Sequence, residues 1–217
     1  STFSPKEVVE NAAKLSFSAI AVCDHDSISG LDEIFNEAKR FDLEIIPGVE
    51  LSCENDESEI HMLGYFIDWQ NKLLEKEFEE LRAVRVERSK KILEKLKNFG
   101  ISLDIDELLS LTRCNAVGRM HIAMLLRRKG FVYSKDEAFR KYIGDYAPCY
   151  ISGFKLSPME GIKLIKKFGG IPVIAHPHII KDDSYLEKLV NMGIEGIEVF
   201  HSDHTHSQIR KFITYTK

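Results

Sequence analysis

The sequence predicts an α/β fold: a mainly parallel sheet or barrel of βα units, interrupted by an all-helical insertion. Short apolar runs alternate with amphipathic helical segments in both outer parts of the chain, which is the pattern of βα units. Between Asn71 and Ile151 the alternation stops and helical periodicity alone remains. The apolar runs also end on ionisable residues. Ile20-Ala21-Val22-Cys23 leads into Asp24-His25-Asp26, and Ile45-Ile46-Pro47-Gly48-Val49 into Glu50. Ile171-Pro172-Val173-Ile174-Ala175 leads into His176-Pro177-His178, and Ile197-Glu198-Val199-Phe200 into His201. Carboxyl ends of parallel strands open into one crevice, so these residues are expected to converge. Histidine and carboxylate in one crevice form the ligand set of a divalent metal site, which points to a metal-dependent hydrolase.

The elements follow in order. Ser4-Pro5-Lys6-Glu7 is a capping box with proline at the first helical position, opening a helix to about Leu15. A short strand to Cys23, a helix from Leu31 to about Phe41, a strand to Glu50 and a strand carrying Ile60 to Phe66 complete a first part, 1–70. A long charged helix then runs to about Asn98, with Leu74, Phe78, Leu81, Ile92 and Leu96 on one apolar stripe. Further helices over 105–111, 119–129 and 135–142 fill the insertion, 71–151. The βα rhythm returns over 152–217 with a second capping box, Ser157-Pro158-Met159-Glu160, and a helix stopped by Gly169-Gly170.

At 217 residues one core is ample and a second small domain fits. A composition 44% hydrophobic and 29% charged describes a globular chain, and no apolar stretch approaches the roughly 20 residues of a membrane span. The 4 cysteines, Cys23, Cys53, Cys114 and Cys149, show no CxxC pairing. That disfavours a disulfide framework or cysteine zinc site and points to a reduced, cytoplasmic setting. A net charge of −4 argues against a general nucleic-acid coat while leaving room for a local phosphate pocket. The chain opens at Ser1 without methionine and stops at Lys217 inside a helical pattern, so a fragment is expected.

Each candidate residue has a second reading. Asp24-His25-Asp26 suits a ligand with a carboxylate on its other ring nitrogen, and equally an N-cap for the next helix through Asp26 or Ser27. Glu50 can bridge two cations; alone it would be an ordinary surface carboxylate. His61, inside an apolar strand, is a ligand or a hydrogen-bonded core residue. His176 is the sharper signal, since Pro177 stiffens its exit from a clean strand. His178 and His201 are weaker candidates, and His204 and His206 sit in a polar helix start that suits solvated side chains. In the insertion, Gly118-Arg119-Met120-His121 opens a helix, where a guanidinium and backbone N–H groups can meet phosphate. Arg82, Arg85 and Arg88 recur at three-residue spacing; Arg82 is read as part of a solvated face paired with Glu79 and Glu87.

Taken in order, Asp24-His25-Asp26, Gly48-Val49-Glu50, His61-Met62-Leu63-Gly64-Tyr65, Gly118-Arg119-Met120-His121, Ala175-His176-Pro177 and Glu198-Val199-Phe200-His201 resemble the PHP superfamily of metal-dependent phosphoesterases (polymerase and histidinol phosphatase). With Arg85-Val86-Glu87-Arg88 and the insertion, the likeness is to its branch of 3′,5′-nucleoside bisphosphate phosphatases and 5′→3′ exoribonucleases. The resemblance implies a distorted (βα)7 barrel, here incomplete at both ends. The family's opening His-x-His and Asp would precede Ser1, and its closing Asp-x-His would follow Lys217. It implies two or three divalent ions (manganese, iron or zinc) on His25, Glu50, His61 and His176, with Glu50 bridging and Asp24 orienting His25. It also implies phosphate contacts from Arg85, Arg88 and Arg119, and less directly from His121, His178 and His201; relatives often carry arginine in place of His178.

The implied reaction is attack of metal-bound hydroxide on a phosphate ester of a nucleotide or short RNA. The insertion would form a lid, and no membrane or stable protein partner is expected. Three alternatives stay open: a histidinol-phosphate-type phosphatase, a phosphate- or nucleotide-binding module without catalysis, and, ranked last because it needs fewer arginines near the mouth, an amidohydrolase.

Overall fold

The computed structural model describes residues 3–55, 59–112, 116–152, 156–180 and 182–216. Ser1, Cys114 and Lys217 lie outside them. The chain divides into two compact units, one of 1–77 with 156–217 and one of 78–155.

In chain order the first unit holds α1 (Pro5–Lys14), β1 (Ala19–Val22), α2 (Leu31–Ala38), β2 (Glu44–Glu54) and β3 (Glu59–Tyr65). α3 (Lys72–Lys97) carries the chain into the second unit, which continues with α4 (Ile105–Leu109), α5 (Arg119–Arg128) and α6 (Lys135–Ala138). A π-helical turn, Phe139–Ile143, follows α6. The first unit resumes with α7 (Pro158–Lys167), β4 (Ile171–Ile174), α8 (Asp183–Met192), β5 (Gly196–Ile197) and α9 (His206–Thr214).

Both capping boxes form. Glu7 N–H donates to Ser4 Oγ at 3.2 Å while Glu7 Oε2 accepts from Ser4 N–H at 2.7 Å. Ser157 and Glu160 repeat the exchange at 3.4 and 2.8 Å. A third box, Thr205 with Gln208, opens α9 at 3.3 and 2.9 Å. Each satisfies main-chain donors that the first helical turn leaves over.

The five strands lie in the order β1-β2-β3-β4-β5. β1 and β2 are parallel, β2 and β3 antiparallel, β3 and β4 antiparallel, and β4 and β5 parallel. The expected mainly parallel sheet is therefore corrected to a mixed one. The link between β2 and β3 spans only 55–58, and a parallel pair needs a crossover of a dozen or more residues. Strand β2 is also longer than expected. It runs on past Glu50 through Leu51, Ser52 and Cys53, all at most 1% exposed, so Glu50 stands mid-strand. β5 keeps only Gly196 and Ile197 of the strand expected to reach Phe200.

α1 and α2 pack Val9, Ala12, Ile34 and Ala38 with Leu43, just before β2, and Ile45 of β2. The second unit has its own core of Ile92, Leu93 and Leu96 with Leu108, Ile122, Leu125, Leu126 and Ile143. Along the stripe read on α3, Leu74, Phe78, Leu81, Ile92 and Leu96 are all buried, and Ile92 and Leu96 belong to this core. Each buried side chain of this size contributes about 1.5–3 kcal/mol.

Candidate metal centre

Glu50 is placed by its own main chain. Its N–H donates to Asp24 O at 3.0 Å, and its carbonyl accepts from Asp26 N–H at 2.9 Å, which sets His25 opposite it in a parallel bridge. Asp26 is a structural residue. It is 1% exposed, holds a positive φ of 46°, and accepts Ser52 N–H on Oδ1 at 3.0 Å. Asp24 holds Glu50 in place through its main-chain carbonyl.

Register supplies the next ligand. Ser52 pairs with His61 and Glu50 with Leu63, so His61 stands diagonally beside Glu50 on one face of the sheet. Ala175 N–H donates to His61 O at 3.1 Å, which brings His176 alongside at the end of β4. His176 has φ 27° and ψ 62°, a conformation disfavoured for a residue before proline. Its N–H is held by Glu198 Oε2 at 2.6 Å, and Glu198 N–H is in turn bonded to Ile174 O at 2.8 Å.

The result is a triangle of ligand atoms. Glu50 Oε1 lies 3.0 Å from His61 Nδ1 and 3.2 Å from His176 Nε2, and those two nitrogens are 3.0 Å apart. Glu50 Oε2, the other carboxylate oxygen, faces His25 Nε2 at 3.6 Å. A tetrahedral ion with ligand bonds of 2.0–2.1 Å spaces its ligand atoms by about 3.4 Å, so the donor set fits a divalent cation in both chemistry and spacing. Glu59 completes the arrangement from outside. Its Oε1 lies 3.0 Å from His61 Nε2, fixing that nitrogen as the proton carrier and leaving Nδ1 to the centre.

Electrostatics agree with a place for positive charge. Burial pushes the Glu50 carboxyl upward, yet hydrogen bonds from His176 and His61 and the charge of His25 outweigh it and hold the group well below the usual range. Burial lowers the His61 imidazole, and the hydrogen bonds to Glu50 and Glu59 overcome this and raise it to about 9. Without an ion, His61 itself tends to supply the cation that the two carboxylates demand.

Further along the same unit, His178, His201 and His204 gather, with ring centroids 5.8 Å (His178–His201), 5.0 Å (His178–His204) and 5.3 Å (His201–His204) apart. Here the sequence reading of His204 as a solvated helix start is corrected: it is 8% exposed, packed on Phe212 at 5.0 Å, and its Nδ1–H donates to Val199 O at 2.9 Å. His206 is exposed at the start of α9.

The remaining predicted residues belong to the second unit. Arg85 and Arg88 are buried, at 6% and 7% exposure. Arg85 Nη1 donates to Val117 O at 3.4 Å and Arg88 Nε to Ile151 O at 2.7 Å. Arg119 pairs with Asp145 Oδ1 at 2.6 Å and lies over the Tyr150 ring at 5.3 Å. His121 Nδ1 accepts Gly118 N–H at 3.2 Å, closing the first turn of α5, and burial followed by the Arg85 charge lowers its pKa.

Glu59 and Glu198 are the site residues to which the sequence reading gave no role, and His204 is one it read as solvated. Glu59 carried a usable signal, the Glu-x-His spacing that sets both side chains on one face of a strand.

The PHP domain family matches residues 1–155 of this chain. The chain belongs to the PHP family. It is 29% identical over 219 residues to a 5′-3′ exoribonuclease of Haemophilus influenzae, an alignment covering 99% of this chain and 80% of that protein. It is 30% identical over 216 residues to a 3′,5′-nucleoside bisphosphate phosphatase of Chromobacterium violaceum, covering 96% and 75%. A crystal structure from Bifidobacterium adolescentis, provisionally assigned as a metal-dependent phosphoesterase, superposes with TM-score 0.86 at 28% identity, covering 98% of this chain and 77% of that one. The chain thus has the PHP fold and is a metal-dependent phosphoesterase by family, and His25, Glu50 and His61 form a group able to hold a metal ion. No helix among the described residues is long and apolar enough to cross a membrane.

Proposed function

We propose that this PHP phosphoesterase acts on phosphorylated nucleotides, 3′,5′-nucleoside bisphosphates or the 5′ end of short RNA, with divalent ions held by His25, Glu50, His61 and His176. The observation that carries the metal reading is the split of Glu50, one oxygen toward His61 and His176 and the other toward His25. A carboxylate so divided can serve two cations. Bound divalent ions supply Lewis acidity toward phosphoryl oxygens and lower the pKa of water toward neutrality. The chain's own residues hold the ligand atoms in place: Glu59 fixes the His61 tautomer, Glu198 the His176 backbone, and Asp24 and Asp26 the Glu50 main chain. The substrate reading is supported by the names of the two relatives, an exoribonuclease and a bisphosphate phosphatase. Arg85, Arg88 and Arg119 are proposed to serve phosphate groups of the substrate.

The test pairs metal content with phosphate release from 3′-phosphoadenosine 5′-phosphate, and sets histidinol phosphate beside it. Two or more ions per chain with release from the bisphosphate support the reading. Release from histidinol phosphate alone transfers it to the amino-alcohol phosphatases. Glu50→Gln should lose the ions that its carboxylate holds together with activity, and an active variant that keeps those ions refutes the bridging role.

A further inference from the structure

We propose that His178, His201 and His204 form a second cation site, distinct from the Glu50 cluster, that takes a borderline-soft divalent ion of the zinc class. One ring nitrogen from each residue lies within 4.8 Å of the other two. His178 sits on the 3-10 turn Pro177–Ile179 that follows β4, while His201 and His204 lie in the segment between β5 and α9. The site is therefore built by two separate stretches of chain.

The buried polar atoms point to a missing partner. His204 donates Nδ1–H to the Val199 carbonyl, an oxygen that can only accept, so in the neutral ring the lone pair is on Nε2. That Nε2 is buried and meets no hydrogen-bond partner among the described residues, and the same holds for His178 Nδ1. Buried nitrogens left this way call for an ion, a water molecule or a strained state. Two of them, on different segments of a cluster whose ring nitrogens approach within 4.8 Å, leave that cluster short of polar partners.

The ligand chemistry selects the ion. Three neutral imidazoles with no carboxylate suit zinc, cobalt, nickel or copper, whereas magnesium, calcium and manganese favour oxygen. A tetrahedral zinc ion spaces nitrogens by about 3.4 Å, so the rings must close by at most about 1.4 Å. His178 and His201 are partly exposed and have room for this. His204 is the fixed member, held by Val199 and by the Phe212 ring. His201 changes most. Its Nδ1 accepts Asp203 N–H at 3.2 Å, and ligation through Nε2 moves the ring proton to Nδ1, exchanging that contact for the Asp203 carboxylate 4.0 Å away. His176 separates the two centres, its ring 5.9 Å from His178 and 5.6 Å from His201.

The inference does not depend on the substrate reading, and metal counting tests it directly. The full chain is stripped with chelator, loaded with Zn²⁺ or Co²⁺, and its bound metal is measured by elemental analysis and, for Co²⁺, by visible absorption. His204→Gln and His178→Arg should each lose one equivalent and keep those that depend on Glu50. Glu50→Gln should keep one equivalent, bound by the three histidines. Far-UV circular dichroism on the metal-free variants excludes misfolding, and His178→Arg, on a surface turn, remains a valid test if His204→Gln does not fold. Unchanged stoichiometry in folded His178→Arg or His204→Gln overturns the proposal. So does a Glu50→Gln chain that binds no metal, which would make the three histidines part of one centre. If the histidine variants raise KM at constant metal count, the cluster binds substrate phosphate and the proposal fails.

Discussion

Glu59→Gln probes how the centre is held, because Glu59 meets His61 at Nε2, the ring nitrogen opposite the one facing Glu50. Its carboxylate accepts His61 Nε2–H at 3.0 Å, and its side chain is only 12% exposed, so solvent screens the interaction weakly. The amide oxygen of glutamine can accept the same bond and preserve the ring orientation. The negative charge is what is lost, and with it part of the basicity of His61 Nδ1. Removing such an outer partner of a ligating histidine typically costs 10–100-fold in metal affinity. Since Gln keeps the hydrogen bond, the expected loss is near tenfold, about 1.4 kcal/mol. Glu59→Ala, which also frees the tautomer, should approach 100-fold, about 2.7 kcal/mol. Competition of Mn²⁺ between the protein and a chromogenic chelator measures both, with thermal melts of the metal-free variants as the folding control. Equal affinity in wild type and Glu59→Ala would refute the reasoning: His61 would then need no carboxylate to serve as a ligand.

Gly48→Ala should destabilise the fold by about 1–3 kcal/mol, the usual range for overpacking. The added Cβ meets Cys23 Sγ, the Val22 carbonyl at 3.1 Å and the Gly64 carbonyl at 3.3 Å. Chemical denaturation checks it, and Cys23→Ala in the same chain should recover only part, since both carbonyls remain. Ser157→Ala removes the cap of α7 and should cost about 1 kcal/mol, seen as a Tm roughly 2–4 °C lower. Arg119→Ala should raise KM for a bisphosphate substrate while metal content, read by elemental analysis, stays unchanged. Loss of metal instead would mean that Arg119, paired with Asp145, has a structural role alone.

Much of the fold was legible because local chemistry dictates it. Ser4 and Ser157 announce helix starts through the glutamate three residues on, and the apolar spacing along α3 matches its buried stripe. Strand direction was less accessible. Apolar runs look alike in parallel and antiparallel sheets, and only the short 55–58 link distinguishes the β2–β3 hairpin. The backbone of His176 was hidden for the opposite reason. A following proline argues for extended geometry, and the positive φ depends on Glu198, 22 residues away, holding its N–H. His204 was misread because its neighbours Asp203 and Thr205 are exposed, while the burial of its own ring depends on contact with Phe212.

The Glu50 cluster lies between these cases. Its residue types stand in the sequence, but the reading that strand ends bring them together applies only in part, because Glu50 is mid-strand. What joins Glu50 to His61 is register: Ser52 opposite His61 leaves Glu50 one diagonal step away on the same face. A slip of one residue between β2 and β3 would turn His61 to the other face and separate it from both Glu50 and His176. The apolar residues that flank them fix that register. Leu51, Cys53, Ile60 and Met62 are at most 1% exposed, and any slip would drive one strand's set out of the core. Packing on the buried face of the hairpin therefore determines the coordination chemistry on the other, and this connection cannot be read from either strand alone.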